Sequence, residues 1–481
     1  MKISLHKVFI LTALCLCAQV HAQNLHKICP VILNKGSVSD SVSFVLTTAD
    51  FNMFRGGKPA YAPAIEIIDG DAPWPPRWFA FHDGDTSAEI KSSLLMLNAS
   101  VQNDRFMFYT IIPAPQYQSY LGMLICNRNM DITDSFFSPG RMINPHEFTS
   151  STDGSMMFFA DHDTVLDLRR AYHNDQDVAI KTIYETIEIA DSRGKPLFSW
   201  NPMTHLGFDA CHLPYRYAPG VMSGQSKFEW SHGNSLQYDY DGNILYSFKH
   251  IGIGKISRTD GHIIWRIDRN KQKSNAASDA IPIYLQHHLQ AMKDAQGNIS
   301  YTVLSNGDSL HPECRAYRFK VDLEHGEQIV KLLETYTPSE KMAETGGGGN
   351  FDEEQNGNYL FNYGLFKQDS ALTARALFEY RDEKNKMTTE YSIASPMVFS
   401  YRVHRMGGWR PARPLVSLTN GILRTNTKSE SSWYKLSGSG LRTIKKVGEG
   451  DKYTPKENGD YCVVSKSGIG WAVSKPFHFT K

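Results

Sequence analysis

The chain is poor in several features, and each shortage excludes a class of protein. Its seven cysteines in 481 residues include no Cys-x-x-Cys pair, so neither a zinc knuckle nor a disulfide-stapled miniature scaffold is indicated. No apolar run reaches the ~20 residues that a membrane-spanning helix needs. Gly346 to Gly349 lack a following Gly-Lys-Ser/Thr, which rules out a phosphate-binding P-loop. A surplus of charge is also missing: 51 basic residues stand against 50 acidic ones, for a net charge of +1. Such balance gives no support for a nucleic-acid partner or a polybasic membrane surface.

What is present begins with an export pattern over residues 1–22. Lys2 and Lys7 form a basic start, Val8 to Val20 an apolar segment, and Val20-His21-Ala22 a small-residue cleavage site. The mature chain is therefore expected to be exported, either periplasmic or released. Without those two lysines, 49 basic residues face 50 acidic ones, a net charge of −1. Cys29, Cys126, Cys211, Cys314 and Cys462 remain, an odd number in an oxidising compartment, so at most two pairs can form. The remaining ~460 residues can bury a core without disulfides.

The body of the chain reads as strand and turn. Trp230 to Arg266 carries short runs rich in Ile, Tyr and Phe, broken at Asp241-Gly242 and Asp260-Gly261, which predicts an antiparallel meander. The same form recurs at Asp153-Gly154, Gln296-Gly297 and Asn356-Gly357, each a polar-Gly turn before an apolar strand. The glycines are 88, 55 and 60 residues apart. That spacing suits multi-stranded sheets with insertions, and so an all-β fold of the β-propeller type. We expect the propeller over residues 23–425 and a small immunoglobulin-like β module, sandwich-like, over 426–481. In the latter, Tyr461 is a candidate for a corner hydrogen bond.

Histidines precede these turns at related distances: His232 ten before Gly242, His287 ten before Gly297, and His146 eight before Gly154. In the fourth copy the tenth position back is Gly347. The innermost strands of a propeller face its central channel, so residues at equivalent positions converge there. Of the doublet His287-His288, only one side chain is expected to face inward on a regular strand.

Several of these motifs, in order, resemble the bacterial aryl sulfotransferase family over roughly residues 63–405. They include His146-Glu-Phe, Trp230-Ser-His-Gly-Asn, Asp241-Gly-Asn-Ile-Leu-Tyr, Gln286-His, Cys314-Arg-Ala-Tyr and Asn356-Gly-Asn. The resemblance implies a propeller of six blades. It also implies transfer of a sulfuryl group from a phenolic sulfate ester to an acceptor phenol, with no nucleotide donor, cofactor or metal. His232 and His287 would then be the catalytic histidines, with Asn234, Arg315 and His146 binding the substrate.

The chemistry suits those residue types. Imidazole is a nucleophile near neutral pH and divides one hard step into two easier ones. A second imidazole can give and take the phenolic proton. Arginine meets sulfate oxygens with a planar fork. The partners implied are a small aromatic sulfate and a phenol; the oligomeric state is not readable. The alternative is a non-catalytic propeller that binds an anionic or sulfated ligand in the same channel.

Overall fold

The computed structural model describes residues 32–36, 38, 42–50, 64–71, 73–81, 98–114, 117–138, 140–166, 180–212, 227–269, 278–308, 310–338, 343–354, 357–367, 376–382, 387–393, 398–406, 408–438 and 443–481. The export pattern at 1–22 and Cys29 lie outside them. The fold is all-β and divides into two compact units, one centred on residues 136–368 and the other holding most of the remaining chain.

The first of these units is built from four-stranded antiparallel meanders, the blades of a propeller-type fold. One blade pairs Met142–Ser150, Met156–Leu166, Ile180–Ala190 and Pro196–Trp200 in chain order. The next runs through Gly233–Tyr238, Ile244–Phe248, Gly252–Ile256 and Ile263–Asp268. A third follows with His287–Lys293, Ile299–Ser305, Arg315–Glu324 and Glu327–Tyr336. A fourth opens with Asn350–Glu353 against Tyr359–Asn362.

The turn glycines behave as their spacing predicts. Gly154, Gly242, Gly297 and Gly357 take φ of +82°, +82°, +88° and +82°, the left-handed conformation that costs glycine least. In each turn the glycine N–H donates to the carbonyl three residues back, at Ser151, Asp239, Asp294 and Glu354.

Alternate strand residues face inward and bury aromatic rings between blades. Phe159, Trp200, Trp230, Tyr246 and Phe248 form one such layer, and Trp265, Tyr301 and Phe319 belong to the next. Polar bonds fix the register from blade to blade. Thr149 Oγ1 donates to the Leu236 carbonyl at 2.8 Å, and Ser235 Oγ to that of Leu289 at 3.1 Å.

In the other unit, Val398–Arg405 pairs with Ser43–Asp50, which continues through Ala64–Asp69 to Trp78–Phe81. Strand Trp78–Phe81 then pairs with Gly470–Val473, so the C-terminal strands extend this sheet through Gly459–Ser467 and Ser431–Ser437. Tyr461 Oη donates to the Glu457 carbonyl at 2.9 Å, the corner bond expected of it. Asp69 is buried and receives hydrogen bonds from Arg77 Nε at 2.6 Å and Arg413 Nε at 2.9 Å. Cys126, Cys211, Cys314 and Cys462 are buried thiols, and no disulfide joins the described cysteines.

Candidate active site

The site grows from the segment Phe228 to Gly233, which leads into the inner strand of the second blade. Phe228, Trp230 and Ser231 are buried and anchor it. Ser231 Oγ forms a short hydrogen bond to the Glu185 carboxylate and also receives the Glu185 N–H at 2.9 Å. The Gly233 N–H donates to the same carboxylate at 3.2 Å. The backbone on either side of His232 is thereby fixed to the first blade. Burial, with the charges of Asp161 and Glu229 nearby, holds the Glu185 carboxyl well above the usual range, against the pull of its two hydrogen bonds.

His232 itself sits at φ +55°, an uncommon conformation for a side-chain-bearing residue and one associated with functional sites. The turn brings its Nδ1 to 2.8 Å from Glu229 Oε1, three residues earlier. Burial alone would raise the Glu229 carboxyl; its pairing with His232, with His250 and Lys249 nearby, overcomes that and holds the group below the ordinary carboxylate range. Glu229 is therefore ionised at neutral pH.

Two more imidazoles flank His232. The ring of His146, on Met142–Ser150, meets it edge-on with centroids 4.7 Å apart. His146 Nδ1 donates to Asn144 Oδ1 at 2.5 Å, and its side chain is half-buried. On the other side, the His250 ring centroid is 5.5 Å from that of His232. His250 is 3% exposed, and its Nδ1 donates to the Glu229 carbonyl at 3.1 Å. Burial pushes its imidazole well below the usual histidine value, against the pull of Glu229, so the ring is neutral at neutral pH.

The other predicted residues occupy different places. Asn234 is buried and its Nδ2 donates to the Gln286 carbonyl at 2.8 Å, tying the second blade to the residue before His287. His287 Nδ1 donates to the Gly349 carbonyl at 2.9 Å. The expectation that only one of the two adjacent histidines turns inward needs correction: both are buried, each 3% exposed. The reason is a bulge between His287 and Gln290, with His288 at φ +56°, which breaks the strict alternation of a strand. His288 Nδ1 lies 3.3 Å from Asp352 Oδ1.

Arg315 opens the third strand of its blade, opposite Ser305. It pairs closely with Glu313, and its side chain is partly exposed. Lys249 places a positive charge near Glu229 and His250.

The geometry thus joins His146 to His232 and adds Glu229, His250 and Glu185, which sequence reasoning did not select. Glu229 had a signal, its three-residue spacing from His232. His250 had none, because only the pairing of Ile244–Phe248 with Gly233–Tyr238 carries it there.

No curated protein sequence matches the chain. Among solved structures, the WD40 β-propeller domain of Doa1 is similar at 9% identity and a TM-score of 0.32, over 69% of this chain and 74% of that one. BamB from Moraxella catarrhalis is similar at 8% identity and a TM-score of 0.25, over 80% and 76%. The xylan β-1,4-xylosidase from Bacillus halodurans C-125 is similar at 9% identity and a TM-score of 0.30, over 80% and 89%. These scores are low, and the fold stands on its own strand order. The family model described as Arylsulfotransferase (ASST) matches residues 139–402. That span covers more than half of the sequence and every histidine of the site, and the chain belongs to the arylsulfotransferase family.

Proposed function

We propose that the protein moves a sulfuryl group from a phenolic sulfate ester to an acceptor phenol by way of His232, without a nucleotide sulfate donor. The observation that carries this reading is the 2.8 Å approach of the Glu229 carboxylate to His232 Nδ1. A carboxylate there orients the ring and leaves Nε2 as the attacking atom.

In the first step the Nε2 lone pair forms an S–N bond as the S–O bond to the donor phenol breaks. The electron pair leaves on the phenolate oxygen, which takes a proton from His146. In the second step the acceptor phenol returns a proton to His146 and attacks sulfur, and the S–N pair goes back to Nε2. Glu229 stabilises the positive charge that the ring carries between the steps. Lys249 and His287 are assigned to the sulfate oxygens, and Asn234 to holding the start of the third blade.

The six-blade count, the division at 425 and 426 and export through residues 1–22 belong to the same reading. The test is incubation with a chromogenic aryl sulfate and a series of phenols, followed by mass analysis of peptides containing His232. Sulfated acceptor and a sulfated His232 peptide are expected. Turnover by His232→Ala equal to that of the parent would remove His232 from the mechanism. Tight binding of the aryl sulfate without turnover would favour the non-catalytic alternative.

A further inference from the structure

We infer that Glu229, His232 and His250 form a three-ligand site for a divalent transition-metal ion of the zinc class. The carboxylate and one nitrogen from each imidazole lie within 4.8 Å of one another. Two imidazoles and one carboxylate are a set that zinc accepts while keeping a further position open.

The second observation concerns His250 alone. It is 3% exposed, and its Nδ1–H is committed to the Glu229 carbonyl at 3.1 Å. That bond fixes the tautomer and leaves Nε2 with a lone pair. An imidazole that donates one N–H to a backbone carbonyl is the usual setting of a metal-bound histidine. The carbonyl belongs to Glu229, so one residue supplies a ligand and orients another.

The backbone supports the same arrangement. His232 adopts the left-handed conformation that turns its ring back on Glu229, and Glu185 holds the residues on both sides of it. The ligands come from a short segment and from the end of the neighbouring strand, so little ordering is left for the metal to impose.

Bound metal draws the Glu229 carboxylate and a nitrogen of His232 into coordination, and sulfuryl transfer requires both groups. The ion is therefore an inhibitor of the proposed reaction, and its binding is measurable whether or not that reaction occurs.

The experiment uses the full chain, freed of metal with a chelator and titrated with zinc against a competing chromogenic chelator. One equivalent is expected to bind the parent, with affinity at least about tenfold weaker in Glu229→Gln and His250→Gln. Exposed His262 provides the control, and His262→Ala should bind as the parent does. Circular dichroism and thermal unfolding establish that each variant is folded; Glu229→Gln, at a half-buried position, keeps the test decisive should His250→Gln not fold. Absence of a stoichiometric site in the parent overturns the inference. So does unchanged affinity in folded Glu229→Gln, or equal weakening in His262→Ala, which marks adventitious surface binding. If zinc binds as expected but no aryl sulfate turns over in metal-free protein, the metal site stands and the transferase mechanism falls.

Discussion

His287 Nδ1 donates to the carbonyl oxygen of Gly349 across 2.9 Å, so a predicted catalytic histidine of the third blade is oriented by the glycine run that opens the fourth. Gly349 has φ +84°, and a Cβ there would lie 2.7 Å from the Asn362 carbonyl oxygen and 2.8 Å from Leu304 Cδ2. Gly349→Ala should therefore lose about 2 kcal/mol or more, combining left-handed strain with overpacking. Urea unfolding measures it. Stability equal to the parent would show that the carbonyl can move and that His287 is not held by it.

Glu229→Gln should keep the shape of the side chain while removing the charge beside His232. Turnover of an aryl sulfate should fall about a hundredfold with KM little changed, since the interaction matters most when the ring is positive. Glu229→Asp should recover part of the loss. Steady-state kinetics across pH checks this, and an unaltered rate would assign Glu229 a purely structural role.

Asp69 provides a pH dependence whose sign can be worked out. Burial would raise its carboxyl, but Arg413 and Arg77 overcome that and hold it below the usual aspartate value. A depressed folded pKa means stability that is fully present above the unfolded value of about 3.9 and lost as pH falls through the folded value. Asp69→Asn should cost about 3 kcal/mol at pH 7, because two guanidinium groups lose a buried partner. It should also flatten the acid limb of a plot of unfolding free energy against pH. An acid limb identical to that of the parent would place the pH sensitivity elsewhere.

Tyr461→Phe removes one hydroxyl from a side chain that is otherwise buried among Leu423, Trp433 and Phe479. Loss of the bond to Glu457 should cost about 1 kcal/mol. A thermal shift read by near-ultraviolet circular dichroism reports it, and no shift would mean that water replaces the bond.

The propeller character was legible because it depends on local chemistry that repeats. Gly154, Gly242, Gly297 and Gly357 each mark a turn that needs positive φ, and the strands after them follow from short apolar runs. His146 and His232 could be paired from their position before those turns. Two kinds of information were absent. The bulge at His288 is a backbone irregularity with no residue signature, so strict alternation misplaced one of two buried rings. The cluster at His232 needs Glu185 and His250, which approach through strand pairing and through contact between adjacent blades. Arg315 illustrates the opposite failure, since a residue type suited to sulfate is engaged by Glu313, two positions earlier.

The pairing of Ser43–Asp50 with Val398–Arg405 also bears on how the protein is made. Two strands from distant parts of the chain must meet, so this sheet closes late and slowly compared with the meanders between them. Until Val398 to Arg405 has been synthesised, Ser43–Asp50 presents an open edge with unpaired amides and carbonyls. Such an edge invites pairing with other chains. A product truncated before that strand therefore leaves the edge open, and the join between the two distant strands forms only once synthesis has passed Arg405.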